Sequence, residues 1–85
     1  MNTTSETKSI ITRGQIRAGR ALLGWSQEEL SRQSGVSANT VKRIEKGNGP
    51  IAARFQSIER LVDAFARSGL RFQNDETTIS VTLER

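Results

Sequence analysis

The stretch that decides the fold is residues 26–47, SQEELSRQSGVSANTVKRIEKG. Its first half predicts a short helix. Ser26 is a favourable N-cap, and with Glu29 it forms a capping-box pattern, in which the serine accepts from an early amide and the glutamate returns to the cap. We expect this helix to end at Ser34, because Gly35 readily adopts the left-handed conformation that follows a helix.

The second half predicts another short helix after a tight turn. Ser37 is a second N-cap, and Val41 with Ile44 forms a narrow apolar stripe at helical spacing before Gly47 ends the segment. Two short helices, a glycine turn and a donor-rich outer face predict a helix-turn-helix. The remaining positions of the second helix are small, polar or basic: Ala38, Asn39, Lys42, Arg43 and Lys46.

Helices are also predicted on both sides of this motif. Before it, Thr12 and Gln15 form another capping-box pattern. After it, apolar residues recur at helical spacing from about residue 52 to residue 68, in the longest and most apolar of the predicted helices. We assign both of its phenylalanines, Phe55 and Phe65, to the core.

The C-terminal residues change to the period of a strand. Residues 70–72 and 79–83 alternate apolar and polar side chains, and residues 73–78, QNDETT, supply turn formers between them. This pattern predicts a β-hairpin. Because a lone hairpin is marginal in water, it should either pack on the helices or pair with another copy of the chain.

The motif residues resemble a known family. SQEEL, GVS and TVKRIEKG, preceded by QIRAGRALLGW, are similar to the helix-turn-helix of the phage-repressor or Xre family of transcription regulators. The resemblance covers roughly residues 11–70. Ser31 and Ser34 stand where that family usually has alanine, which predicts a slightly weaker core and no change of fold.

The resemblance implies a mainly α fold, a repressor-like helix-turn-helix domain of four to five helices with a C-terminal β-hairpin or dimerising strands. We therefore expect a flexible tail at residues 1–10, the DNA-binding domain at residues 11–69, and a hairpin at residues 70–85 that is a candidate dimerisation element. Regulators of this family generally act as dimers.

The helix-turn-helix geometry predicts how DNA would be read. The second motif helix lies in the major groove with its N-terminal residues at the base edges. Asn39 is suited to adenine and Arg43 to guanine, while the methyl of Ala38 can contact a thymine methyl. The predicted base-reading residues are Ser37, Ala38, Asn39 and Arg43.

Other residues are candidates for the DNA backbone. Gln27 matches the family position that binds a phosphate through its side chain and the helix N-terminus. Arg17, Lys42 and Lys46 are further phosphate candidates, and Thr40 is expected to face inward or to bind a phosphate.

The resemblance also implies an ion pair between Arg20 and Glu45 at the edge of the core. The alternative is two separately solvated charges. Both residues lie beside the predicted apolar stripes, so we expect a pair that is at least partly buried.

Composition indicates a nucleic-acid partner and excludes most catalytic chemistry. The 85 residues carry a net charge of +4, and residues 8–60 hold ten basic against four acidic side chains. The chain has no cysteine and no histidine, which removes the usual nucleophile, the usual neutral-pH base and most zinc sites. The single tryptophan, Trp25, adjoins a helix cap, which favours packing over ligand stacking. The sequence predicts no enzyme, no metal and no cofactor.

Two functions remain open at this point. The first is a sequence-specific regulator of transcription that binds double-stranded DNA, as a homodimeric repressor on a palindromic operator. The second is a protein-interaction module, such as an antitoxin or antiactivator, that uses the same fold to bind a partner protein. The basic recognition face favours the first. Because the sequence shows neither a membrane span nor a signal-peptide pattern, we expect a cytoplasmic protein.

Overall fold

The computed structural model describes residues 11–47, 51 and 53–84. This mainly α architecture with a C-terminal hairpin confirms the predicted fold class. The predicted tail at residues 1–10 lies outside the described residues. The helices and strands are α1 (Arg13–Leu23), α2 (Gln27–Ser34), α3 (Ala38–Glu45), α4 (Phe55–Arg67), β1 (Leu70–Asn74) and β2 (Ile79–Leu83).

Side-chain caps begin the first three helices. Thr12 and Gln15 close the predicted capping box, each side chain accepting from the backbone amide of the other residue. Ser26 accepts from the Glu29 amide as predicted, but the Glu29 carboxylate pairs with Arg32 instead of returning to the cap. A cation three residues further along the same helix competes for the glutamate, so only half of the predicted box forms.

Gly35 makes the turn of the motif. Its φ of 79° lies in the left-handed region, and its amide donates to the Ser31 carbonyl at 2.9 Å. A side chain would be strained in this conformation, which is why glycine suits the position. Ser37 then caps α3, so that only residues 35–37 separate the two helices of the motif.

The core lies between the four helices and the inner face of the hairpin. Phe65 is fully buried near its centre, stacked on Trp25 at a centroid distance of 5.9 Å and edge-on to Phe72 at 5.5 Å. Trp25 is therefore a packing residue, as the sequence indicated. The buried apolar residues of the cluster are Ile11, Ile16, Leu30, Val36, Val41, Ile44, Leu61, Phe65 and Leu70.

Helix α1 approaches the core closely at Gly19. A Cβ atom at this position would lie 3.0 Å from Leu70 Cδ1 and 3.2 Å from Phe65 Cε1. Glycine costs a helix interior about 0.5–1 kcal/mol relative to alanine. Here the missing side chain lets α1 pack against α4 and β1, so tertiary contacts offset the poor helix propensity.

Phe55 corrects one prediction from the sequence. The sequence assigns it to the core together with Phe65, but the structure leaves 66% of Phe55 exposed. The reason is where α4 begins. The helix starts at Phe55 itself, not near residue 52, and its buried residues are Leu61, Ala64 and Phe65. The Phe55 side chain therefore projects from the first turn, beyond the part of α4 that covers the core.

Strands β1 and β2 form an antiparallel hairpin in which Leu70 lies opposite Leu83. β1 continues to Asn74, two residues further than predicted, because Asp75 closes a shorter turn by accepting from the amides of Thr77 and Thr78. β1 packs on α4 and β2 packs on α1. The hairpin thus uses the first of the two expected arrangements and contributes to the core of its own chain.

A buried pair of amides joins the hairpin to α1. Gln15 is only 3% exposed, and its Nε2 donates to Asn74 Oδ1 and, at 2.9 Å, to the Ser80 carbonyl. Its Oε1 accepts from Asn74 Nδ2 at 3.0 Å and from the Thr12 amide at 2.8 Å. Leaving such a buried group unpaired would cost about 1–3 kcal/mol, so these contacts fix the hairpin against the start of α1.

Candidate nucleic-acid interface

Helix α3 turns its polar side chains away from the molecule. Its inner side buries Val41 and Ile44 in the core. On the outer side, amide and cationic groups are brought together, and these are the donor types that contact base edges and phosphates. The exposed side chains of this face are Asn39, Lys42, Arg43 and, at the C-cap, Lys46.

The N-terminus of α3 is closed by a hydroxyl pair. Ser37 Oγ accepts from the Thr40 amide at 3.2 Å and donates to Thr40 Oγ1 at 2.9 Å. The single donor of Ser37 is thus used within the cap, whereas the Thr40 hydroxyl keeps its own hydrogen. Ala38 beside them is half-buried. At this end of the helix, the hydroxyl able to donate outward is that of Thr40.

Two arginines from α1 hold the C-terminus of α3. Arg13 Nη1 donates to the carbonyls of Ile44 at 2.6 Å and Arg43 at 3.2 Å, and Arg17 Nη1 donates to the carbonyl of Glu45. The last carbonyls of a helix lack partners within it and carry partial negative charge. The guanidinium groups supply both hydrogen bonds and opposite charge, and they fix the end of α3 against α1.

The sequence prediction omits Arg13 and assigns Arg17 to a phosphate. Arg13, Arg17 and Arg20 recur at i, i+4 and i+7 of α1 and therefore share one face, which is the signal from which this role could have been inferred. What that face contacts depends on the tertiary fold. Arg17 has five N–H donors, and those not used at α3 remain available to a further partner.

Arg20 and Glu45 form a two-point ion pair. Arg20 Nε lies 2.8 Å from Glu45 Oε2, and Nη2 lies 2.9 Å from Oε1. Glu45 is 4% exposed and Arg20 is 21% exposed. The hydrogen bond to Glu45 raises the pKa of Arg20 above its ordinary value, so the guanidinium stays charged at every physiological pH. The arrangement is the one that the family resemblance implies.

The same carboxylate positions Gln27. Gln27 Nε2 donates to Glu45 Oε1 at 3.1 Å, which holds this half-buried side chain at the N-terminus of α2. Its carbonyl oxygen and second N–H form no hydrogen bond within the described part of the chain. Arg20, Gln27 and Glu45 thus connect α1, α2 and α3, and this network sets the orientation of α2 relative to α3.

The comparison with known families agrees with this geometry. Residues 16–70 match the family model described as helix-turn-helix, from the first turns of α1 to the first residue of β1. That span is more than half of the chain. The protein belongs to the Xre-like helix-turn-helix family. No curated protein matched the sequence.

In this helix-turn-helix regulator, α2 and α3 form the motif and α3 is its recognition helix. The family binds DNA, and the exposed polar face described above belongs to the second helix of the motif. In helix-turn-helix proteins, this second helix lies in the major groove. Ala38, Asn39, Lys42, Arg43 and Lys46 all lie on that one face by their helical spacing. Gln27 and Arg17 lie apart from it, beside Glu45.

Other kinds of site find no support among the described residues. Residues 11–47, 51 and 53–84 hold no group of three or more acidic, histidine or cysteine side chains placed to bind a metal ion. Within the same residues, every helix is too short or too polar to span a membrane.

Proposed function

We propose that this helix-turn-helix regulator is a repressor that binds a palindromic operator as a homodimer, with α3 of each copy in the major groove. The observation that supports this best is the outer face of α3. The side chains of Asn39, Lys42 and Arg43 are exposed and make no hydrogen bond or ion pair within the described part of the chain. Repression needs only that the operator be occupied.

Base reading is proposed for the N-cap Ser37 and for three residues of α3, Ala38, Asn39 and Arg43. Arg43 can bond bidentately to guanine and Asn39 to adenine, while Ala38 can meet a thymine methyl. The Ser37 hydroxyl donates its one hydrogen to Thr40 within the cap, so toward DNA it can act only as a hydrogen-bond acceptor. It can therefore accept from an amino group on a base edge.

The phosphate contacts are proposed for residues on both sides of this face. Gln27 is held by Glu45 with one N–H and its carbonyl oxygen unused, and the Thr40 hydroxyl can donate outward. Lys42 and Lys46 are exposed cations on α3, and Arg17 has donors beyond the one it uses at the Glu45 carbonyl. Such contacts position a protein on the duplex without reading sequence.

The size of the molecule agrees with a dimer on adjacent half-sites. Half-sites one helical turn apart place two recognition helices about 34–36 Å from one another. The molecule extends 37 × 30 × 20 Å, so two copies side by side can span this distance. A two-fold axis between them would make the operator a palindrome.

A selection experiment tests the proposal. Random duplex DNA is selected on the protein, and the operator recovered is used to compare wild type with Arg43→Ala and Gln27→Ala. Loss of Arg43 should weaken operator binding by about 1–3 kcal/mol and relax the preference at one base position. Loss of Gln27 should weaken binding to operator and to unrelated DNA by similar factors, because phosphates carry no sequence information.

Arg71→Ala is the matched control, since Arg71 is an exposed arginine on β1, outside the motif. It should leave the base preference unchanged. Each variant is used only where its circular dichroism shows a folded protein, because Gln27→Ala also removes a hydrogen bond from Glu45. If selection recovers no preferred sequence, the regulator proposal fails and the protein-interaction module takes its place.

A further inference from the structure

Helix α4 carries the largest exposed apolar side chain of the described residues. Phe55 is 66% exposed, and it borders an open hollow of about 830 Å³ along the outer side of the helix. We call this surface the α4 face. It is lined by the apolar residues Ile51, Ala53, Phe55, Ile58, Val62 and Ala66 and, at its rim, by Gln56, Glu59, Arg60 and Asp63.

The rim of the α4 face has charges of both signs. Glu59 and Arg60 are exposed and form no ion pair within the described part of the chain. Asp63 pairs with Arg67, one turn along the same helix. An apolar hollow bordered by unpaired charges of opposite sign is suited to a partner with the same arrangement.

We propose that the α4 face binds a second copy of the chain, with the two α4 helices antiparallel across a two-fold axis. This inference rests on the proposed function, because it names the surface through which the proposed homodimer forms. In such an isologous interface the same residues face one another from both copies, so the face must be complementary to itself.

The shape of the α4 face satisfies that condition. In an antiparallel pair, the start of one helix lies over the end of the other. The large Phe55 at the N-terminus of α4 then meets the small Ala66 near the C-terminus of the second copy. Large side chains facing small ones allow two helices to interdigitate, and Val62 fills the middle of the interface.

The charged residues of the rim also make the α4 face complementary to itself. With Phe55 opposite Ala66, the two-fold axis lies between positions 60 and 61. Arg60 of one copy is then within about one helical turn of Glu59 of the other, since each residue advances a helix by about 1.5 Å. The axis repeats this contact, so both arginines meet acidic side chains of the opposite copy. Asp63 also comes near Glu59 of the other copy, but its ion pair with Arg67 offsets this like charge.

The position of the α4 face also suits binding of two half-sites. α4 packs on α2, the first helix of the motif, so an interface on the outer side of α4 joins the two copies beside their motifs. The hairpin, in contrast, packs on α1 and α4.

A second apolar groove, of about 540 Å³, lies between α1 and β2 and provides the control. Leu22 and Ile79 at its edge are 47% and 62% exposed. All of its lining residues are uncharged, so it lacks the rim that makes the α4 face self-complementary. Ile79→Ser is therefore matched to Phe55→Ser in chemistry and exposure but lies outside the proposed interface.

Sedimentation equilibrium of the full chain tests the inference. Arg60→Glu and Glu59→Arg should each raise the dimer dissociation constant on the order of tenfold, because each brings like charges together across the axis. The double variant exchanges the two signs and should restore dimerisation to near the wild-type value. Phe55→Ser should weaken the dimer at least as much, and Ile79→Ser should not.

The possible results distinguish failure of the proposed α4 interface from failure of the proposed DNA-binding function. A dimer that is unchanged by Phe55→Ser and by both charge reversals overturns the α4 face as the interface, as does a double variant no better than the single ones. Weakening by Ile79→Ser alone would assign dimerisation to the other groove. If the wild type selects a palindromic operator in any of these cases, the proposed function stands and only the interface is wrong.

Discussion

At the scale of single residues, Glu45 connects several parts of the motif. It accepts two N–H groups from Arg20 and one from Gln27, while its backbone carbonyl accepts from Arg17. A buried carboxylate is tolerated only when it is paired and hydrogen-bonded in this way. The residue thereby links the fold of the motif to the position of a proposed phosphate contact.

Removing either member of the ion pair should strongly destabilise the protein. Arg20→Ala or Glu45→Ala leaves a buried or half-buried charge without its partner, and we expect a loss of about 3–5 kcal/mol in the free energy of unfolding. Urea denaturation followed by circular dichroism measures it. Arg32→Ala is the control, because Arg32 is 73% exposed in its pair with Glu29 and such pairs contribute about 0–1 kcal/mol. Equal midpoints for these variants would contradict the prediction.

The pair should not act as a pH switch through Arg20. A cation whose folded pKa is raised contributes stability that is fully present below its unfolded pKa and is lost only as pH rises through the folded pKa. For an arginine both values lie far above physiological pH. The contribution of Arg20 is therefore constant between neutral and mildly alkaline conditions.

At the scale of elements, the hairpin is part of the domain core and not an appendage. Leu70 is buried, and Phe72 contacts the ring of Phe65. Because Gly19 packs against both Leu70 and Phe65, α1, α4 and β1 meet at one point. Deleting the hairpin would expose this contact, so its contribution is better measured by point substitutions.

Asn74→Ala should loosen the hairpin from α1. It removes two of the four hydrogen bonds of the Gln15 amide and leaves one of its buried N–H groups without an acceptor, which costs about 1–3 kcal/mol. Hydrogen exchange should show faster exchange of the amides of β1 and β2, together with a lower urea midpoint. Gln73→Ala, at the exposed neighbouring position of the same strand, should change neither. Equal protection in both variants would show that the amide pair has no such role.

At the scale of the whole molecule, charge is concentrated where the fold places the motif. Residues 8–60 include all three helices of the Arg20–Gln27–Glu45 network and hold ten of the thirteen basic side chains. Such a distribution attracts the phosphate backbone before any base is read. We therefore expect a marked salt dependence for binding to any duplex.

Lys46→Ala tests this expectation at one position. If Lys46 meets a phosphate, its loss should reduce the slope of log binding constant against log salt concentration by about one unit, for operator and unrelated DNA alike. Titrations at several salt concentrations measure the slope. Arg67→Ala removes the same charge from a residue paired with Asp63 on α4 and should leave the slope unchanged. A slope that is the same in Lys46→Ala and wild type would exclude that contact.

The amino-acid sequence by itself determined the helices of the motif and their order. Thr12, Ser26 and Ser37 are caps, and Gly35 takes the left-handed turn, as their local patterns predict. These signals act between residues at most four positions apart, where the backbone preferences of each residue decide the outcome. Helical spacing also predicted that Phe65 lies in the core, which is correct because Trp25 and Phe72 cover this part of the apolar stripe.

Only the tertiary structure decided what each face meets. The sequence could not predict that Arg13 would bond to the end of α3, 31 residues away, or that Gln15 would pair with Asn74, 59 residues away. Nor could spacing show that Phe55 lies outside the core, since the same apolar stripe continues past the region that other elements cover. Such contacts depend on how the helices pack. Periodicity specifies that a face is apolar or basic, whereas only the assembled fold specifies its partner.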